Sequence, residues 1–184
     1  MKYNFLKLFI LALVCWCSLQ VGQAQQLNAE DLLLEPSALL SEELSGQNNQ
    51  SYIKQLGDDN EAEVIQSLER RGTNVARLLQ TGKFNLAIVR QAGGENQLGL
   101  IQQGSNNFYE LTLEGQNNAI AIIQNGNANR IIQDLTNVNN LNIELVQNGN
   151  DNEIIQVLDG ISDRSIKIIQ EGDGLSLRIE QSAQ

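Results

Sequence analysis

From Asn49 to the end of the chain, apolar and polar residues alternate with a period of two in short runs, and the runs return at a fixed interval. Alternation of this kind predicts β-strands half in contact with a core, not helices. One run reads Asn96, Leu98, Leu100, Gln102 on its inward side, and the next reads Asn107, Tyr109, Leu111, Leu113. Between such runs stands the same short phrase, Gln-x-Gly-x-x-Asn. Its glutamines are Gln55, Gln80, Gln102, Gln124, Gln147 and Gln170, at spacings of 25, 22, 22, 23 and 23 residues. Its glycines are Gly57, Gly82, Gly104, Gly126, Gly149 and Gly172; its asparagines are Asn60, Asn85, Asn107, Asn129 and Asn152, with Leu175 in the sixth place. Self-similarity at this interval marks a stacked array of repeats rather than a domain with one closed core.

Two strands of seven residues and two turns, mostly of four, make one rung, so the pattern predicts six rungs. The predicted fold is all-β: a parallel, cross-β solenoid with strands about 4.8 Å apart, roughly 29 Å long over its six rungs. Aliphatic and small side chains fill it. Glutamine and asparagine close the edges of the core, where a lone amide would be costly. Stacked in register, each amide donates to one neighbour and accepts from the other, so a column satisfies itself. The glycines fall where a tight reversal requires backbone angles that other residues resist. No proline follows Asn49, as a continuous ladder of backbone donors requires.

The outward positions test this register, because in-register parallel stacking would set like charges side by side if they shared a column. In the predicted alignment Glu144 lies beside Lys167 and Arg130 beside Glu153, while Ile88 separates Glu63 from Glu110. One outward column is apolar: Leu79, Ile101, Ile123, Val146 and Ile169. Two readings stand for it, ordinary strand propensity on an outer face or a lateral contact stripe between fibres or with a partner.

Composition adds the expected destination of the chain. Residues 1–24 read as a secretory signal peptide, with Lys2 and Lys7, the apolar run Leu8–Cys17, and Gly22-x-Ala24 as a candidate cleavage site. Ten apolar residues fall short of the roughly 20 that a spanning helix needs. Both cysteines lie in this run, so the secreted chain would have no disulfide and no thiolate metal site. Residues 25–48 form an acidic, leucine-rich segment holding the chain's one proline, Pro36, and residues 49–184 hold the repeats. The net charge is −10, and two units lower without the signal lysines. An acidic chain without a basic patch points away from nucleic acid.

The repeats resemble those of the curlin family, the subunits of curli, which are bacterial extracellular amyloid fibres. The family repeat is Ser-x5-Gln-x-Gly-x-x-Asn-x-Ala-x3-Gln. Gln55-Gly57-Asn60-Ala62-Gln66 and Gln80-Gly82-Asn85-Ala87-Gln91 match its latter part at each fixed position. Later copies depart: Tyr109, Ile131, Ile154 and Leu177 replace the alanine, and Leu113, Leu135 and Leu158 replace the second glutamine. The opening serine is asparagine in four repeats and Leu141 or Arg164 in the other two. Asn85 to Gly93, the degenerate glutamine column and the missing serine look more like the minor nucleator than the major fibre subunit. The resemblance implies a secreted, cell-surface fibre (fimbrium) protein with a role in adhesion and biofilm. It also implies other curlin subunits as partners, and export through a dedicated outer-membrane channel that residues 25–48 would address.

No cofactor, small-molecule substrate or catalytic residue is expected. The chain has no histidine, and adjacent acids such as Asp58/Asp59 and Glu42/Glu43 fall where carboxylates are ordinarily solvated rather than convergent in a pocket. Turns such as Asn148–Asn152 and Gly172–Gly174 are rich in calcium-type ligands, but the nonapeptide of calcium-binding β-rolls is missing. Two rival classes stand: a soluble, monomeric solenoid acting as an adhesin, and an enzyme of the parallel β-helix type, whose rungs are longer and three-sided. An ice binder would present flat outward threonine rows, and here only Thr112 faces outward.

Overall fold

The structure, a computed structural model, describes residues 49–68 and 72–183. The signal peptide (1–24) and the acidic segment (25–48) expected from the sequence lie outside the described residues. Six strands make one sheet: β1 Gln50–Asp58, β3 Val75–Lys83, β5 Gln97–Ser105, β7 Ala119–Asn127, β9 Asn142–Asn148 and β11 Ser165–Glu171. The other six are β2 Glu61–Leu68, β4 Leu86–Gly94, β6 Phe108–Gln116, β8 Arg130–Asn139, β10 Glu153–Asp159 and β12 Ser176–Ser182. Odd strands pair only with odd strands and even with even, in sequence order, and each ladder is parallel. The chain thus climbs by one odd and one even strand per turn, giving a β-solenoid of six turns.

Register follows the repeat. Ser51, Ala76, Leu98, Ile120, Ile143 and Ile166 form one inward column of the odd sheet. Ala62, Ala87, Tyr109, Ile131, Ile154 and Leu177 form its counterpart in the even sheet. Leu98, Leu100, Tyr109, Leu111, Ile120, Ile122, Ile131 and Ile143 are fully buried between the sheets. Burying a side chain of this size is worth about 1.5–3 kcal/mol, so the apolar columns dominate the stability of the stack.

Strand length differs from the expected seven residues: the strands run from seven to ten. Pairing continues through the turn glycines, Gly57 onto Gly82 and Gly82 onto Gly104, because the corners stack as closely as the strands. The one register shift falls between Leu113 and Gly115, which pair with Leu135 and Val138. An added residue, Asn137 at φ +54°, is looped out there, and it accounts for a rung of 23 residues rather than 22.

Candidate assembly surface: amide ladders and open ends

Each rung has two corners. At the first corner, from odd strand to even strand, the Gln-x-Gly-x-x-Asn phrase sets the path. The glutamine side chain points inward and its Nε2 donates to Oε1 of the next rung's glutamine. These bonds run Gln55 to Gln80 (2.7 Å), Gln80 to Gln102 (2.8 Å), Gln102 to Gln124 (2.8 Å), Gln124 to Gln147 (3.1 Å) and Gln147 to Gln170 (2.9 Å). Gln80, Gln102, Gln124 and Gln147 are fully buried. A second bond fixes each of these four buried amides across the core: Gln80 Nε2 also donates to Glu61 O and Asn85 O, and Gln102 Nε2 to Leu86 O.

The first-corner asparagines stack in the opposite sense. Asn85 Nδ2 donates back to Asn60 Oδ1 (2.9 Å), Asn107 to Asn85 (3.0 Å) and Asn129 to Asn107 (3.2 Å). The same Nδ2 atoms reach forward to a turn carbonyl of the following rung, Asn85 to Gly104 O and Asn107 to Gly126 O. One asparagine thereby ties three rungs together. The column closes at Leu175, whose backbone N–H donates to Asn152 Oδ1 (2.9 Å) but which has no side-chain amide to pass on.

Glycine is required at this corner by space as well as by conformation. Gly104 has φ +113°, and a Cβ there would meet Gly126 O at 1.9 Å. Gly57, Gly82, Gly126 and Gly149 are equally blocked by the next rung's glycine carbonyl. Two positions later the chain again enters the left-handed region, with Asp59, Phe84, Asn106, Ala128 and Asp151 at φ between 54° and 59°. Phe84 and Ala128 give no local signal of this, since such residues seldom adopt it.

The second corner, from even strand back to odd, uses the same devices over part of the stack. Asn96 Nδ2 donates to Asn74 Oδ1 and Asn118 to Asn96, and the run ends where Leu141 replaces asparagine. Gly93 faces Gly115 O as the first-corner glycines face each other, and Gly115 then faces Val138 O. Gln66 Nε2 donates to Gln91 Oε1, after which Leu113 takes the column and Gln91 Nε2 is buried without a partner. A replacement network appears one inward position earlier. Tyr109 Oη donates to Gln133 Oε1 (2.8 Å) and Gln133 Nε2 to Gln156 Oε1 (2.7 Å), ending at a buried, unpartnered Gln156 Nε2. Burial pushes the Tyr109 hydroxyl well above its usual pKa, which keeps it a donor. The periodicity of Asn74, Asn96 and Asn118 made this second column readable from the sequence; the tyrosine–glutamine link left no such trace.

Outside the core, ion pairs span neighbouring rungs. Lys167 meets Glu144 and Arg130 meets Glu153, both at 2.8 Å. Arg90 lies between Glu63 (3.4 Å) and Glu110 (3.7 Å), bridging the two acids on either side of Ile88's rung. The apolar column Leu79, Ile101, Ile123, Val146, Ile169 aligns across five rungs. Ile101 and Ile123 in its middle are buried, Leu79 and Val146 are half-buried, and Ile169 is 50% exposed. Arg164 occupies the second-corner position of the last rung and is exposed. Among the described residues no three His, Cys, Asp or Glu side chains cluster as a metal site would require.

Against known proteins, residues 45–67 match the family model described as "Curlin associated repeat", a segment that takes in β1 and all of β2 but its last residue. No curated protein and no solved structure matches the chain.

Proposed function

We propose that this protein is a curli-type subunit of an extracellular amyloid fibre, and that it is the minor nucleator rather than the major subunit. The observation that carries the reading is a parallel stack of near-identical rungs whose first and last strand pairs, β1/β2 and β11/β12, are sheet edges. Rows of unpaired backbone groups on such edges recruit further strands, and a polymer of rungs needs no reaction chemistry. The curlin repeat match in the first rung supports the family. Drift of the later rungs from the repeat, with Leu113, Leu135 and Leu158 in the second glutamine column, supports a starter subunit over one selected for uniform stacking.

In this reading residues 1–24 direct secretion, residues 25–48 address an outer-membrane export channel, and residues 49–184 act at the cell surface on other curlin chains. The test is incubation of the purified secreted chain, followed by thioflavin fluorescence and electron microscopy, with and without a major-type curlin. Fibres after a lag, and a shortened lag for the second protein when seeded, are the expected outcome. A chain that stays monomeric and seeds nothing belongs to the soluble adhesin class, and one that forms fibres but gives the second protein no advantage belongs with major subunits.

A further inference from the structure

The two ends of the solenoid are chemically unlike, and we infer that the β1/β2 end is the one that templates, taking a rung that carries an amide at each of its four corner positions. This inference rests on the fibre-subunit reading and specifies which surface acts and on what.

At the β1/β2 end all four corner residues are amides: Asn49, Gln55, Asn60 and Gln66. The direction of the ladders makes them receptive. Gln55 spends its Nε2 on Gln80, leaving Oε1 as the terminal acceptor of the unbroken glutamine column. Gln66 spends its Nε2 on Gln91 and Gln50 O, and ends its own column in the same way. Asn60 Nδ2 reaches Gly82 O and Leu56 O, as Asn85 reaches Gly104 O and Thr81 O. Asn85 has a third acceptor, the Oδ1 of the rung before it, and at Asn60 that place is open to an incoming asparagine. An arriving Gln-x-Gly-x-x-Asn rung would supply the glutamine donor and the asparagine acceptor together, repeating bonds seen at each step between the first four rungs.

The core is open there too. Ser51 and Gln55 are exposed and Ile53 is 41% exposed, while Leu98 and Leu100, two rungs inside, are fully buried. The inward pair Ser51 and Ala62 is small, so the surface accepts a rung with alanine or larger side chains without a clash.

The β11/β12 end presents Arg164, Gln170, Leu175 and Gln181 at the same four positions. Three of its four amide columns have stopped, at Leu113, Leu141 and Leu175, and only the column ending at Gln170 is unbroken; Gln170 Nε2 makes the same bonds to Glu153 O and Leu175 O that Gln80 makes to Glu61 O and Asn85 O. A second copy adding through this end would set Arg164 on Asn49 and Leu175 on Asn60, breaking both asparagine columns. The matching occupant is therefore a chain whose terminal rung keeps the full set, as the second rung of this chain does with Asn74, Gln80, Asn85 and Gln91.

The experiment uses seeds of the chain from Gln25 onward and, as probe, a fluorescent peptide of residues 74–95. Three seeds are compared: unaltered, Ser51→Lys/Ala62→Lys, and Ile166→Lys/Leu177→Lys. A lysine on the templating edge is expected to slow peptide addition at least about tenfold, and on the opposite end by less than about twofold. Gold labels on the peptide and on a tag at the β1/β2 end should coincide at the same fibre tip, a readout that does not depend on either variant folding. Equal loss from the two variants, loss from the β11/β12 variant alone, or gold at the opposite tip overturns the assignment of the end. Unaltered seeds that extend with neither the peptide nor their own chain would instead overturn the fibre reading itself.

Discussion

The first and second corners of each rung solve one problem with unequal thoroughness. At the first corner the glutamine and glycine columns run unbroken through six rungs, and the spacing from glutamine to the end of the turn never varies. At the second corner the asparagine and glutamine columns hold over the early rungs and then give way to Leu141 and Leu113, and glycine occupies only the second and third rungs, Gly93 and Gly115, between Leu68 and Val138. Every change in rung length is absorbed on this second side: the long first rung between Gln66 and Asn74, and the added Asn137 in the fourth. One fixed corner per rung is enough to hold the register of both sheets, because a slip of one residue would turn each apolar column to the outside. The other corner is free to vary.

The comparison also shows what an amide column costs when it stops. Each second-corner glutamine run ends in a buried Nε2 without a partner, Gln91 in one case and Gln156 in the other. A buried donor left unsatisfied costs about 1–3 kcal/mol, whereas each internal bond returns only about 1. A column is thus worth most when long and least when it covers two rungs.

The contrast can be broken most severely at a glycine. Gly104→Ala places a Cβ 1.9 Å from Gly126 O and is expected to cost roughly 3 kcal/mol or more, seen as a collapse of the denaturation midpoint. Gly174→Ala, with open space around its Cβ, should cost only about 1 kcal/mol. Comparable losses at the two sites would mean that rung stacking does not demand glycine.

The next largest effect separates the two glutamine columns. Gln102→Leu interrupts the continuous ladder and should destabilise by about 2 kcal/mol, while Gln91→Leu removes an unpartnered donor along with one bond from half-buried Gln66, which keeps Gln50 O, and should cost less than about 1 kcal/mol. If urea unfolding ranked them the other way, the difference between the corners would have no energetic meaning.

Tyr109→Phe tests the replacement network and should cost about 1 kcal/mol for the lost bond to Gln133. It carries a pH signature. The buried hydroxyl has a raised pKa in the fold, so its contribution is whole below the ordinary tyrosine value near 10 and is lost as pH rises above it. Alkaline unfolding followed by circular dichroism should be shallower in the phenylalanine variant than in the parent.

The smallest expected effect lies outside both corners. Arg90→Ala removes a half-exposed bridge to Glu63 and Glu110 and should change stability by less than about 1 kcal/mol, a difference that 0.5 M salt, roughly, would erase. A larger, salt-resistant loss would move the source of register from the corners to the surface charges.

The legibility of these features in the sequence follows from their periodicity. Alternation from Asn49 onward carries the two-sheet solenoid, because inward residues must recur at every second position and every rung. The six Gln-x-Gly phrases carry the register. What repeats too few times leaves little trace: the Gly93–Gly115 pair spans one step, and the Tyr109–Gln133 bond joins unlike residues in neighbouring columns. The left-handed conformation of Phe84 and Ala128 is imposed by the stacked corner rather than by their own preferences. Ladder direction is likewise a property of the assembled stack, since an amide side chain can be turned either way until its neighbours choose.

That choice has an electrical consequence. Along the first corner, glutamine side-chain carbonyls accept from the rung before and asparagine side-chain carbonyls from the rung after, so the two sets of amide dipoles oppose each other along the axis. Each added rung that carries both amides adds moments that offset one another in part. A filament built on this plan can grow to any length while accumulating less end-to-end polarisation than a single column of aligned amides would impose.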